Sequence, residues 1–289
     1  MTFDPGMPLL EHLAAKLPSL RRSEKKVAEL VASDPGFVVN GTMAAVAEAA
    51  GVSEPTVMRF STALGYEGFN QFRLALAQSL ALGLPATLST VSANDTIGIM
   101  AAKVFDHSIS SLDRARRYLD AEQIERAVDA ILGARSLTFT GLGASGIIAQ
   151  DAAQKAPLFG VPCMVPSDPH QALMTVAVAG PGDVLMAISN TGTTSSMLEI
   201  VETAKSAGAT VIGLTGEGES PLARSVDVPL VVRTFEDTDR YTPTVSRIAA
   251  LVVIDVLATA VSLRRGDDHA ERLTSMKEQL VAFRRRSIE

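Results

Sequence analysis

Two short stretches rich in glycine and hydroxyl side chains have the composition of anion-binding loops. The first, GLGASG at residues 141 to 146, follows the apolar run SLTFT, and the second, ISNTGTTSSM at 188 to 197, closes the run DVLMA. In the second loop Ser189, Thr191 and Thr194 supply hydroxyls, and Gly192 lets the backbone approach an anion closely. A helix starting near Thr194 would aim its free N–H groups and the positive end of its dipole at the same anion. Gly141, Gly143 and Gly146 also satisfy G-x-G-x-x-G, the dinucleotide fingerprint, and Asp168 stands where a ribose partner would be sought. A dinucleotide fold needs only the first loop, whereas two such loops at the carboxyl ends of neighbouring strands make a pocket for one phosphate. The expected ligand is a small phosphorylated anion, with a dinucleotide as the alternative.

A different chemistry is written into MAAVAEAAGVSEPTVMRFSTALG, residues 43 to 65. Ala44, Ala45, Ala49 and Ala50 allow two helices to approach, Gly51 permits a sharp turn, and Val52 fills the angle between them. Ser53 is placed to cap the second helix, with Pro55 in its first turn. Val57, Phe60 and Leu64 form an apolar stripe, so the outward set is read as Glu54, Thr56, Met58 and Arg59. This is the anatomy of a helix-turn-helix, whose second helix reads base edges in the major groove; an arginine there can bond bidentately to guanine. Arg22 and Lys25, in the cluster Arg21, Arg22, Lys25 and Lys26, would meet phosphates. An ordinary helical hairpin would show the same alanines, the basic cluster is equally a solvated helix start, and Arg73, which could clamp a phosphate, is read as simply solvated.

The elements that must carry these groups follow from periodicity. Residues 1–80 read as short helices with apolar positions three and four apart, forming an all-α domain. Residues 81–95 gather Pro, Ser, Thr and Asn and are read as a linker. Residues 96–289 form the second domain. Two helices are expected there, from about 96 to 119 and, with Asp120 as cap, from about 121 to 133. From Ser136 five short apolar runs alternate with helices. Strands without polar alternation are buried on both faces, so they predict a three-layer α/β domain wound on a parallel sheet. An apolar helix from about Thr244 and a polar terminal helix complete it.

The chain has 289 residues and a net charge of −6, which excludes coating of nucleic acid by bulk electrostatics but leaves room for a local DNA-binding face. One cysteine, Cys163, can form no internal disulfide, and the start MTFDPGMPLL lacks the pattern of a signal peptide, so the cytoplasm is the expected compartment. The run IAALVVIDVLATAVSL, residues 248 to 263, carries Asp255 and reads as a buried helix. His12, His107 and His269 have no second ligand at metal spacing; neither a metal nor a cofactor is expected. As general bases for an isomerase, His170 and Glu236 are the available groups.

RSEKKVAELVASDP, the helix-turn-helix and GYEGFNQFRLALAQSL together resemble the N-terminal domain of the RpiR family of bacterial transcription regulators. The two loops are similar to those of the sugar isomerase (SIS) domain, so the second fold is expected to be SIS-like and doubly wound. Its second loop pattern S-x-S-G-x-T falls on Ser189, Asn190, Thr191, Gly192, Thr193 and Thr194, with threonine replacing the second serine. Ala144 stands where related regulators often have another serine. The resemblance implies a phosphosugar site at Gly143, Ser145, Ser189, Asn190, Thr191, Gly192 and Thr194. From the segment EDTDRYTPTVSR, Glu236, Tyr241, Ser246 or Arg247 would meet a carboxylate or hydroxyls, or simply lead into the next helix. The resemblance implies DNA contacts at Arg22, Lys25, Ser53, Glu54, Thr56, Met58 and Arg59. It also implies a non-enzymatic regulator, mainly a repressor, that binds a palindromic operator as a homodimer or homotetramer. The implied effector is 2-keto-3-deoxy-6-phosphogluconate, an intermediate of the Entner–Doudoroff pathway.

Overall fold

The computed structural model describes residues 9–81, 91–92, 94–236 and 243–286. The chain divides into two compact units, Met1–Ser110 and Ser111–Glu289. Of the expected linker, 82–90 and 93 lie outside the described residues.

The first unit contains α1 (Leu9–Lys16), α2 (Arg22–Ser33), α3 (Pro35–Asn40), α4 (Met43–Ala49), α5 (Glu54–Ala63) and α6 (Phe69–Ala81). Its core gathers the apolar stripes of these helices: Leu13, Val31, Val38, Val57, Phe60, Phe72 and Leu76 are all fully buried. Phe72 meets the rings of Phe60 and Tyr66 edge-on, at centroid distances of 5.3 and 5.6 Å, the arrangement that ring quadrupoles favour. Helix α3 was not expected from periodicity, because six residues are too few to show one. It forms because the Asp34 carboxylate accepts the Phe37 N–H at 2.9 Å, Pro35 occupies the first turn, and Val38 anchors it in the core.

Helix α7 (Ile97–Tyr118) begins in the first unit and ends in the second, followed by α8 (Ala121–Leu132). Asp120 caps α8, its carboxylate accepting from the N–H groups of Glu122 and Gln123 at 2.9 and 3.2 Å. The α/β core then runs β1 (Ser136–Gly141), α9 (Ala144–Gln154), α10 (Ala156–Phe159), β2 (Cys163–Met164), α11 (Pro169–Ala177), β3 (Asp183–Ile188), α12 (Ser195–Ser206), β4 (Thr210–Thr215), α13 (Pro221–Ser225) and β5 (Val228–Val231). Helices α14 (Val245–Arg264) and α15 (Asp267–Arg286) follow. All strand pairs are parallel, in the order β2-β1-β3-β4-β5.

Neighbouring residues of one strand feed opposite layers, which is why the strands are apolar throughout. Val184, Met186 and Ile188 join the core under α8, α9 and α14, while Leu185 and Ala187 join the core under α11 and α12. Helix α14 is long and apolar enough to cross a membrane, and half of it is buried inside the fold, with Val253, Ile254, Leu257 and Val261 packed against the sheet layer. The strand order reverses direction between β1 and β3. In an open α/β sheet that is where ligands bind, beyond the carboxyl ends of the strands, and both hydroxyl-rich loops emerge there.

Candidate functional site

Glycine determines the shape of both loops. A Cβ on Gly141 would stand 2.4 Å from the Ser145 carbonyl oxygen, so α9 can sit this close to the end of β1 only if no side chain intervenes. Gly143 then takes a positive φ of 56° as the cap residue of α9. In the second loop Gly192 has φ +64°, and a Cβ there would lie 2.3 Å from the Ser220 hydroxyl. Its N–H donates to Ser189 Oγ at 3.3 Å, and its carbonyl accepts from the Leu222 N–H at 3.0 Å. The Asn190 carbonyl accepts from the Gly216 N–H at 2.8 Å and from the Thr215 hydroxyl at 3.1 Å. The loop is therefore stitched to the end of β4 and to α13.

These loops enclose a cleft of about 290 Å³ lined by Ala144 and Ser145 from the first and by Ser189, Asn190, Thr191 and Thr194 from the second. Thr194 occupies the cap position of α12 without bonding the backbone through its side chain. The N–H groups of Ser195 and Ser196 precede any intrahelical acceptor and lie at the positive end of a twelve-residue helix. A narrower cavity continues past Asn190 and Pro243 to Ser246 and Arg247, over a floor of Ile148, Ile188, Leu214 and Val232. No described carboxylate lines either space. Arg247 lines this cavity and makes no ion pair or side-chain hydrogen bond among the described residues.

Of the residues singled out in sequence, Ser145, Ser189, Asn190, Thr191, Thr194 and Arg247 come together here, and Gly143 and Gly192 shape the walls. Glu236 does not line the cleft. Its carboxylate accepts from the N–H groups of Thr244 and Ser246 at 2.8 and 2.7 Å and from the Thr244 hydroxyl at 3.2 Å. It caps α14 from a distance of eight to ten residues, a partnership local spacing does not reveal. Burial pulls this carboxyl upward, but the hydrogen bonds from Ser246 and Thr244 outweigh it and hold the group below the usual carboxylate range. Tyr241 lies outside the described residues.

The residues raised for the rival chemistries stand outside the cleft. Asp168 accepts from the N–H groups of His170 and Gln171 at 2.8 and 3.0 Å and caps α11. His170 projects into solvent with its side chain 97% exposed, away from the cleft. Cys163 sits half-buried in β2, where burial pushes its thiol up to about 11, far from a reactive thiolate.

The helix-turn-helix lies in α4 and α5. Thr42 caps α4, accepting the Ala45 N–H at 3.2 Å; Gly51 turns the chain at φ +62°; and Val52 N–H closes the turn onto the Ala47 carbonyl at 2.9 Å. Several expectations need correction. Thr56 is only 4% exposed, because it lies one turn before Phe60 and shares its inward face; that i, i+4 relation was visible in the sequence. Ser53 stands at the cap position, but its hydroxyl bonds Thr56 Oγ1 at 3.1 Å instead of a backbone N–H. The outward set is therefore Glu54, Pro55, Met58 and Arg59. Beside it, Arg21, Arg22 and Lys26 line a groove with Gly51, Val52 and Ser53. Lys25 is half-buried and absent from that lining. Arg73 is not simply solvated: it donates to the Gly41 carbonyl at 3.2 Å and ties α6 to the turn before α4.

A helical unit carrying a helix-turn-helix, followed in the chain by an α/β unit with a hydroxyl-lined cleft, defines a class of ligand-responsive regulators. Residues 7–83 match the helix-turn-helix domain of the rpiR family and residues 130–260 match the SIS domain. The chain is 42% identical over 276 residues to the HTH-type transcriptional regulator HexR of Pseudomonas aeruginosa, covering 96% of each. It is 40% identical over 278 residues to HexR of Escherichia coli, again covering 96% of each. It belongs to the RpiR family of transcriptional regulators and is HexR-like. Among solved structures, the Vibrio vulnificus NanR protein complexed with ManNAc-6P shares the fold at a TM-score of 0.60 and 23% identity, over 95% of this chain and 98% of that one. The sugar isomerase domain of an RpiR transcription factor from Sphaerobacter thermophilus aligns with a TM-score of 0.56 and 22% identity, over 62% of this chain and 98% of that one.

Proposed function

We propose that this chain represses genes of sugar catabolism and that a phosphorylated sugar acid releases it from DNA. The observation that carries the reading is the cleft: two glycine-shaped loops converge on one point, the positive end of α12 faces it, no described carboxylate opposes an anion, and Arg247 waits beyond Asn190. The phosphate would sit against Ser145, Ser189, Thr191 and Thr194 with Gly143 and Gly192 giving access. The acid end would meet Arg247. The two HexR relatives support 2-keto-3-deoxy-6-phosphogluconate as the effector, through the pathway that the family resemblance implies. Glu54, Met58 and Arg59 read base edges, and Arg22 with its basic neighbours holds phosphates. A homo-oligomer presents two such units to a palindromic operator about one helical turn (~34 Å) between half-sites, within the cytoplasm. The effector favours an arrangement whose spacing no longer fits, a population shift with no chemistry on the sugar. With His170 in solvent and Glu236 capping a helix, neither base candidate reaches the cleft, which favours a regulator over an isomerase.

The test is release from DNA. Labelled duplex from the promoter of the chain's own gene is bound to full-length protein and followed by fluorescence anisotropy while sugar phosphates, NAD and NADP are titrated. Release by 6-phosphorylated keto-acids alone is the expected result. Release by a dinucleotide, or turnover of a sugar phosphate in a coupled assay, would overturn the reading.

A further inference from the structure

Glu24 is among the most buried carboxylates of the first unit, 5% exposed, yet nothing in the helix-turn-helix pattern asks for it. It stands on α2, thirty-five positions before Arg59. One oxygen, Oε2, accepts the Arg21 N–H at 2.9 Å and caps the start of α2. The other, Oε1, lies 4.0 Å from Arg59 Nε. Arg59 in turn donates from Nη2 to the Thr56 hydroxyl at 2.9 Å, and Thr56 is itself held by Ser53 Oγ at 3.1 Å. The side chain of Arg59 is still half exposed.

A guanidinium has two usable edges, one through Nε and Nη2 and one through Nη1 and Nη2. Here Nε lies towards Glu24 and Nη2 donates one hydrogen to Thr56, while Nη1 and the second Nη2 hydrogen have no hydrogen-bond partner among the described residues. Guanine presents O6 and N7 as paired acceptors in the major groove and is read by such a fork only when its plane is correctly set. A long arginine side chain free to rotate would lose much of that selectivity to entropy and would settle on phosphates just as well. We infer that Glu24 is a positioning residue for base reading: it fixes the plane of Arg59 so that one edge is presented to a guanine, and it also discourages that arginine from serving as a generic phosphate contact. The inference rests on α5 being the reading helix. Because Glu24 also caps α2, the same carboxylate sets the start of the helix that carries Arg21, Arg22 and Lys26 and ties the basic groove to the reading side chain.

The sign of the effect separates this role from a purely structural one. Removing a carboxylate from a DNA-facing region strengthens sequence-independent binding, whereas freeing Arg59 weakens discrimination. Full-length wild type, Glu24→Gln, Arg59→Ala and the double variant are each used to enrich duplexes from a randomised library. Affinities for the wild-type-enriched duplex and for a scrambled duplex are then measured by anisotropy, with thermal melting as the check on folding. For Glu24→Gln the ratio of the two affinities should fall about tenfold, with guanine preference lost at the same positions as in Arg59→Ala. Binding of the scrambled duplex should be unchanged or tighter, and the double variant should discriminate no worse than Arg59→Ala. Thr56→Val removes the other tether without touching the α2 cap and should also lower the ratio, which keeps the test open if Glu24→Gln melts early. A wild-type ratio in Glu24→Gln and Thr56→Val, equal losses on both duplexes, or additive losses in the double variant would each overturn the inference. If Arg59→Ala itself keeps the wild-type ratio, it is the reading of α5 that fails.

Discussion

The two surfaces of this regulator are built from different parts of the polypeptide. The cleft in the α/β unit is shaped by backbone: Gly141 and Gly192 admit neighbours that a Cβ would strike, and the second loop is held by the carbonyls of Asn190 and Gly192. The proposed reading face of the helical unit is built instead from side chain against side chain, with Glu24 Oε1 4.0 Å from Arg59 Nε and the Thr56 hydroxyl accepting from Arg59 Nη2. A backbone cradle exists before its ligand arrives and discriminates little beyond charge and size. A side-chain fork can read one base from another, but it is only as selective as the groups behind it are rigid. Substitutions should therefore fail abruptly in the cleft and by degrees on the DNA face.

The largest expected effect is at Gly141. In Gly141→Ala the new methyl group meets the Ser145 backbone, which cannot yield without moving α9, so a loss of about 3 kcal/mol is expected in the α/β unit. Thermal unfolding should show it, together with loss of effector response while DNA is still bound. Wild-type stability in this variant would show that the loop is softer than a backbone cradle. Next come the hydroxyls. Ser145→Ala and Ser189→Ala should each lose charge-assisted hydrogen bonds of about 1.5 to 3 kcal/mol to the phosphate, a tenfold to hundredfold drop in effector affinity. Both should bind operator normally without sugar and require far more sugar for release, as measured by titrating a preformed complex. Unchanged midpoints would move the effector to another site.

The cap on α14 gives a pH-dependent effect of intermediate size. Because the folded-state value of Glu236 is lowered below 4.5, its contribution is fully present above that value and is lost as pH falls through the lowered one. Glu236→Gln should cost about 1 kcal/mol near neutrality, with the gap to wild type flat above about pH 5 and closing in acid. A gap that widens in acid would contradict the cap. On the DNA face, Arg22→Ala should weaken binding evenly across sequences by a few-fold and reduce the salt slope by about one. A sequence-selective loss would instead make Arg22 a base contact. The smallest effect belongs to Ser53→Ala. Its hydroxyl caps no backbone N–H, so it should cost less stability than Thr42→Ala, for which about 1 kcal/mol is expected because Thr42 does cap; chemical denaturation compares the two directly.

Residue types and their spacing determined much of this protein. Apolar runs without alternation required strands covered on both sides, Asp120 announced α8, and hydroxyl and glycine residues after the first and third runs marked the two loops that line the cleft, because each of these signals acts over a few positions of chain. What acts across space was decided only by tertiary structure. The strand order brings the two loops to one switch point and places Ser246 and Arg247 beside them. Glu236 turns from the cleft to a helix start eight residues on, and Asp168 is spent on the N–H groups of α11. Helix α3 depends on Val38 finding the core. Thr56 is the intermediate case: its spacing from Phe60 already placed it inward, but only the packing of α5 shows that its hydroxyl serves Arg59. Glu24 left no local signal at all, since a carboxylate in the first turn of a helix looks like any favourable charge near a dipole until the fold sets an arginine from another helix beside it.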